Sequence, residues 1–157
     1  MNLKLETIVP NADHGKKIAK FLSESFWTEH SLSGDKSPEI DWSRASAHIN
    51  HFMFEGIVYN VNDGDKIVGS IAVAPDKHWW SAEEYVGGGW FFVLPEYRNL
   101  KDQTSPSHLL IDAVIDYANK LEKPLIMGVF NLQGVERAKK LFDKKGFHQI
   151  GGMYYRN

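Results

Sequence analysis

Cysteine is absent from all 157 residues, which excludes disulfides, thiolate metal sites and a cysteine nucleophile. No apolar run approaches the roughly 18 residues of a membrane span. The opening Met1-Asn2-Leu3-Lys4-Leu5-Glu6 alternates apolar and polar residues, unlike the apolar core of a secretory signal, so no membrane and a cytoplasmic location are expected. Charge of one sign is missing too: 18 basic and 20 acidic residues, mixed along the chain, leave a net charge of −2. That gives no electrostatic basis for nucleic-acid binding. Neither an internal repeat nor a low-complexity segment occurs.

What the chain does have is enough apolar material, 43% hydrophobic residues, for one globular domain spanning 1–157 with a sizeable core. Leu3, Leu5, Thr7 and Val9 alternate with polar residues and predict a first strand that stops at Pro10. Asp13 then caps a helix with Ile18 and Leu22 at helical spacing. A polar loop, Ser31 to Pro38, leads to a second helix in which Trp42, Ala45, Ile49, Phe52 and Met53 share a face, with His48 and His51 about a turn apart. Gly56 ends it. Ile57–Val61, the turn Asn62-Asp63-Gly64-Asp65 and Lys66–Ala74 read as a hairpin.

Pro75 to Glu84 reads as an irregular connection, and Tyr85–Leu94 as a strand interrupted by Gly87-Gly88-Gly89. Leu109, Leu110, Ala113, Val114, Tyr117, Ala118 and Leu121 mark an amphipathic helix. Leu125–Phe130 has the length of a buried strand, Val135–Lys145 of a helix ending at Gly146, and Phe147–Tyr155 of a closing strand. The order β, α, α, β, β, β, α, β, α, β predicts an α+β fold with strand–helix alternation in its second half.

Phe92 to Thr104 runs from an apolar strand through Pro95 into a polar loop bearing Arg98 and Lys101. Ser105-Pro106-Ser107 follows with an N-cap, a proline at the first helical position and unpaired backbone N–H groups. Such a helix start can hold a phosphate group. Val93-Leu94-Pro95-Glu96-Tyr97-Arg98 resembles the strand-to-loop segment of the GCN5-related N-acetyltransferases (GNATs), which leads into the loop that grips the pyrophosphate of acetyl-CoA. Ala138-Lys139-Lys140-Leu141-Phe142-Asp143-Lys144-Lys145-Gly146-Phe147 is similar to that family's A-x-x-L-Y-x-x-x-G-F helix and turn. The resemblance covers residues 56 to 157 best. Two departures stand out: the glycine pair usual after the arginine is missing, with no glycine between Arg98 and Met127, and Phe142 stands where the family has a tyrosine.

The resemblance implies a mixed, mostly antiparallel sheet flanked by helices and splayed between the strands near 90–94 and 125–130. Pantetheine would fill the gap by pairing with backbone at Phe92, Val93 and Leu94, and a backbone N–H near Val93 would polarise the thioester carbonyl. Phosphates would be held at Thr104, Ser105, Ser107 and His108, aided by Arg98 or Lys101. Asn131 and Phe142 complete the cofactor-binding set.

For the base, Glu84 leads by its place before the central strand; Glu83, His48, His51 and His78 are further candidates. Histidines at i and i+3 on a helix could bind metal, but no third ligand is evident, and no metal is expected. The acid would be Tyr154, Tyr155 or a water. The glycine run implies a bulge or a close approach by another backbone or a ligand. Trp27, Trp79 and Trp80 suit either the wall of an acceptor pocket or a homodimer surface. The implied activity is acetyl transfer from acetyl-CoA to a primary amine, on a small molecule or a protein, by direct attack. The alternative is a catalytically inactive GNAT fold that binds a protein partner.

Overall fold

The computed structural model describes residues 1–25, 39–98, 100, 105–129, 132–152, 154 and 156. Five strands form one sheet in sequence order: β1 Leu3–Thr7, β2 Ile57–Asp63, β3 Lys66–Lys77, β4 Glu84–Val93 and β5 Leu125–Ile126. The first three interfaces are antiparallel and β4–β5 is parallel. Between them run α1 Ala12–Glu24, α2 Trp42–Glu55, α3 Pro106–Lys120 and α4 Leu132–Lys144. This is the expected α+β arrangement, a mostly antiparallel sheet between helices.

Local chemistry accounts for the turns. Asp63 pairs with Lys66 across Gly64-Asp65, and Gly64 takes the φ of +60° that a tight hairpin demands. Helix α1 is capped by Asn11, whose side chain accepts the His14 N–H at 2.8 Å; the expected cap, Asp13, lies inside the first turn. Asp41 caps α2 through the Arg44 N–H at 3.1 Å.

Each sheet face has its own core. Under α1 and α2, Ile18, Phe21, Leu22, Ile49, Phe52 and Met53 pack on Val58, Ala72, Ala74, Trp90 and Phe92. Under α3, Leu110, Ile111, Val114 and Ala118 pack on Val61, Val68, Ile71, Val73, Val86 and Val93, with Leu141, Phe142 and Phe147 at its margin. Each fully buried aliphatic contributes roughly 1.5–3 kcal/mol. The sheet is therefore held from both sides, and β4 belongs to both cores.

Three boundaries differ from expectation. Strand β3 continues through Pro75 to Lys77 because its pairing with β2 ends at Ile57↔Val73; Pro75 sits on an edge where a missing N–H costs no ladder bond on that side. Helix α4 starts at Leu132, three residues before the expected Val135. Strand β5 is two residues long, and the described residues among 147–155 form no strand. Ile150 is 72% exposed, so the alternation there has no described neighbour to pair with.

Candidate active site

Strand β4 has two unlike halves. Its first residues are paired on both sides, with β3 through Lys77↔Glu84 to Val73↔Gly88 and with β5 through Val86↔Leu125 and Gly87↔Ile126. The Val86 N–H donates to the Pro124 carbonyl at 2.8 Å. Strand β5 then ends at Ile126, while β4 runs on from Gly88 to Val93 paired only with β3. About 20 Å of strand edge is thereby left without a described strand beside it.

The register shifts between Ala72↔Trp90 and Val73↔Gly88, which makes Gly89 the extra residue of a bulge. The bulge is one of the two features that the glycine run implied; a Cβ on Gly89 would lie 2.6 Å from the Phe52 ring, so the group packed closely there is a side chain and not another backbone.

Alternation decides which backbone groups face the gap. The Leu94 N–H donates to the Val68 carbonyl at 2.9 Å, and Phe92 and Trp90 follow at two-residue steps opposite Ser70 and Ala72. Their N–H and C=O groups therefore point to β3, and those of Phe91 and Val93 point away from it. Of the three expected partners for pantetheine, only Val93 presents its backbone to the gap. Phe92 and Leu94 are turned to β3, and Phe91, missed in the sequence, takes their place. Arg98 is used locally: its Nε donates to the Val93 carbonyl at 2.7 Å, and its guanidinium lies 4.9 Å over the Phe92 ring.

Beyond Val93 the chain turns through a 3₁₀ segment, Pro95–Tyr97. The Tyr97 hydroxyl ties it to Asp63 at 2.8 Å. Asp63 is held below the ordinary carboxylate range by hydrogen bonds from the Asn2 N–H and the Tyr97 hydroxyl. Helix α3 begins nearby, with Ser105 as N-cap and Pro106 at its first position. The first bond inside it runs from the Leu109 N–H to the Ser105 carbonyl at 3.1 Å, so the N–H groups of Ser107 and His108 precede the ladder. Ser105 is 1% exposed, yet among the described residues its hydroxyl has no hydrogen-bond partner, and neither has His108 Nδ1. A buried polar atom left so costs about 1–3 kcal/mol. Lys101, Thr104 and Asn131 lie outside the described residues.

At the other end, where β4 and β5 part, a cleft of about 170 Å³ is lined by His51, Phe52, Asp76, Tyr85, Gly87, Gly88, Ile126 and Gly128, among others. His48, a turn earlier on α2, packs against Phe52 at 4.8 Å and Trp90 at 6.1 Å. Its side chain is still exposed, but partial desolvation against these rings is the main force lowering its pKa, with the Gly89 backbone opposing and the charge of His51 adding to the fall.

Solved structures of similar shape share this architecture. An aminoglycoside acetyltransferase from an uncultured soil metagenomic sample superposes with a TM-score of 0.65 at 16% identity, over 100% of this chain and 99% of that one. The aminoglycoside acetyltransferase AAC(6')-Iy, in complex with a CoA-linked bisubstrate analogue, gives 0.68 at 13% identity over 100% and 99%. A predicted acetyltransferase from Clostridium acetobutylicum, with acetyl-CoA, gives 0.67 at 12% over 99% and 96%. The fold is that of the GCN5-related N-acetyltransferases. No protein-family model and no curated protein matches the sequence, so the GNAT likeness rests on shape.

Within this GNAT fold, two of the expected catalytic side chains fall away from the gap. Glu84 stands at the first residue of β4, five residues from the bulge at Gly89, and its carboxylate is paired with Lys123 at 2.9 Å. Hydrogen bonding and charge from Lys123 hold its pKa below the ordinary range, which makes it a weak base. Tyr154 is fully exposed on a segment without strand structure. Phe142 does reach the gap region: its ring lies 6.2 Å from Phe91 and 5.1 Å from Phe147. Among the described residues no cluster of three or more His, Asp or Glu side chains could hold a metal ion.

Proposed function

We propose that this protein is a cytoplasmic N-acetyltransferase that moves an acetyl group from acetyl-CoA to a primary amine by direct attack. The observation that carries the reading is the half-paired strand: the edge of β4 from Gly88 to Val93 runs towards a helix N-terminus that buries an unpartnered hydroxyl at Ser105. Those residues suit an extended ligand with amide groups along its length and phosphates at one end. No helix among the described residues is long and apolar enough to cross a membrane.

The division of labour follows from position. Backbone groups of Phe91 and the Val93 N–H pair with the amides of the donor's pantetheine arm, and an N–H on this edge polarises the thioester carbonyl. The Ser107 and His108 N–H groups, with the Ser105 hydroxyl, hold the phosphates. His48 acts as the base: its lowered pKa keeps the imidazole neutral at pH 7, so one ring nitrogen carries a lone pair free to take a proton. It takes one proton from the ammonium group, the freed amine nitrogen bonds to the acetyl carbon, and as the carbon–sulfur bond breaks the nitrogen gives its second proton to water. The thiolate departs unprotonated, since an ordinary thiol pKa near 8.5 makes it a tolerable leaving group, so Phe142 need not be a tyrosine.

Calorimetric titration with acetyl-CoA, CoA and pantetheine tests the reading, followed by a thiol-release assay over a panel of amines. Micromolar binding that weakens when the phosphates are absent, and amine-dependent release, are the expected results. No binding at millimolar acetyl-CoA would overturn it and leave the non-catalytic binding module.

A further inference from the structure

The connection between β3 and β4 carries exposed aromatic rings beside the cleft. Trp79 is 92% and Trp80 67% exposed, an arrangement that gains little from burial. These rings are nevertheless ordered by one another. His78 stacks on Trp80 at 4.6 Å and 12°, and on Tyr85 at 4.6 Å and 29°, while Trp79 meets Trp80 edge-on at 5.5 Å. The stack ends inside the cleft, because Tyr85 and Asp76 both line it. The Tyr85 hydroxyl faces Asp76 Oδ2 at 3.4 Å, and Asp76 Oδ1 accepts the Lys77 N–H at 2.7 Å. Asp76 is the one acidic residue of the lining.

We propose that Asp76 and the Tyr85, His78 and Trp80 rings form the acceptor subsite and select amines that carry a second ammonium group. The inference rests on the acyl-transfer reading above. The reacting nitrogen must be neutral and close to His48 and the Gly89 bulge. A second nitrogen on the same molecule stays protonated at neutral pH, since alkylamines resemble lysine with a pKa near 10.4. It needs a partner, and a carboxylate flanked by aromatic faces is suited to an ammonium ion. Asp76 pairs with Tyr85 in the ladder, four residues before Gly89 on β4. The two nitrogens therefore stand up to about 13 Å apart, within reach of a linear polyamine or of amino groups on linked sugar rings. A monoamine makes no use of this subsite.

Two readouts separate this proposal from the one it rests on. With saturating acetyl-CoA, initial rates of thiol release are measured for spermidine, for neamine and for n-butylamine, using the wild type, Asp76→Asn and Trp80→Ala. Without acetyl-CoA, tryptophan fluorescence is followed during titration with spermidine and with neamine. Asp76→Asn is expected to raise KM for the polyamine about tenfold, the equivalent of one lost charge contact, with kcat and the butylamine kinetics unchanged. The same variant should weaken the fluorescence titration to the same degree, and Trp80→Ala should weaken both more mildly. The arm that responds, spermidine or neamine, distinguishes a linear from a ring-bearing acceptor. If no amine is acetylated but Asp76-dependent binding persists in the fluorescence titration, the subsite stands and the acyl-transfer reading falls. Equal KM for polyamine and monoamine, or titrations indifferent to Asp76, would overturn the subsite.

Discussion

The two halves of β4 are built from one continuous strand and behave as different objects. From Glu84 to Gly87 the strand pairs with β3, at Val86 and Gly87 also with β5, and its first side chain is locked to Lys123. From Gly88 to Val93 β3 is the one strand beside it among the described residues, while the buried side chains of Trp90, Phe92 and Val93 anchor it in the cores of both sheet faces. A strand held by its side chains can leave one backbone edge unpaired without losing its place. The difference teaches that the open half is rigid before any ligand arrives, which is what pairing with an extended cofactor needs. Exposed edges otherwise invite aggregation, so the openness calls for a functional explanation.

The comparison can be broken most strongly at its chemistry. Replacing His48 with Gln, which stays polar but cannot take a proton, should lower kcat/KM for acetyl transfer by about 10²–10⁴-fold. The sign of the pH dependence follows from the lowered pKa. Wild-type rates should be full at neutral pH, fall only as the pH drops below about 6.5 and through the folded-state value, and show no such limb in the Gln variant. Ser107→Glu places a negative charge among the N–H groups of α3 and should weaken acetyl-CoA binding about 100-fold, roughly 3 kcal/mol, with an unchanged circular dichroism spectrum. Unchanged affinity would move the phosphates elsewhere.

Weaker effects sharpen the boundary between the halves. Gly89→Ala drives a methyl group into the Phe52 ring, and urea titration should show a loss of about 1–3 kcal/mol. A neutral result would mean that α2 gives way easily and the bulge is soft. Glu84→Gln belongs to the closed half and should leave kcat/KM within about twofold, as expected for an exposed ion pair. A hundredfold drop would restore Glu84 as the base and displace His48.

Much of this was legible in the residues. Alternation at Leu3 to Thr7, the Asn62-Asp63-Gly64-Asp65 turn and the apolar stripe of α3 are local signals, and each produced its element. The segment from Val93 to Arg98 pointed to the strand-to-helix passage at which the candidate site lies. The choice between Phe91 and Phe92 was not legible, because the direction of an N–H depends on pairing with β3, more than twenty residues away in sequence. Nor was the end of β5, where the run Leu125 to Phe130 looks uniformly apolar but, of its described residues, only the first two pair. His48 was visible as one of several histidines; its contact with Trp90 on β4 exists only once α2 lies across the sheet. Glu84 was favoured by its place in the sequence, and Lys123, which neutralises it, comes from another part of the chain.

The central claim is that donor binding completes the open half of β4, and amide hydrogen exchange resolved at single residues tests it most directly. Saturating acetyl-CoA should slow exchange at Phe91 and Val93, whose N–H groups face the gap, and leave Trp90 and Phe92, already bonded to β3, as they were. Exchange at Phe91 and Val93 that is unaltered with the ligand demonstrably bound would contradict the account.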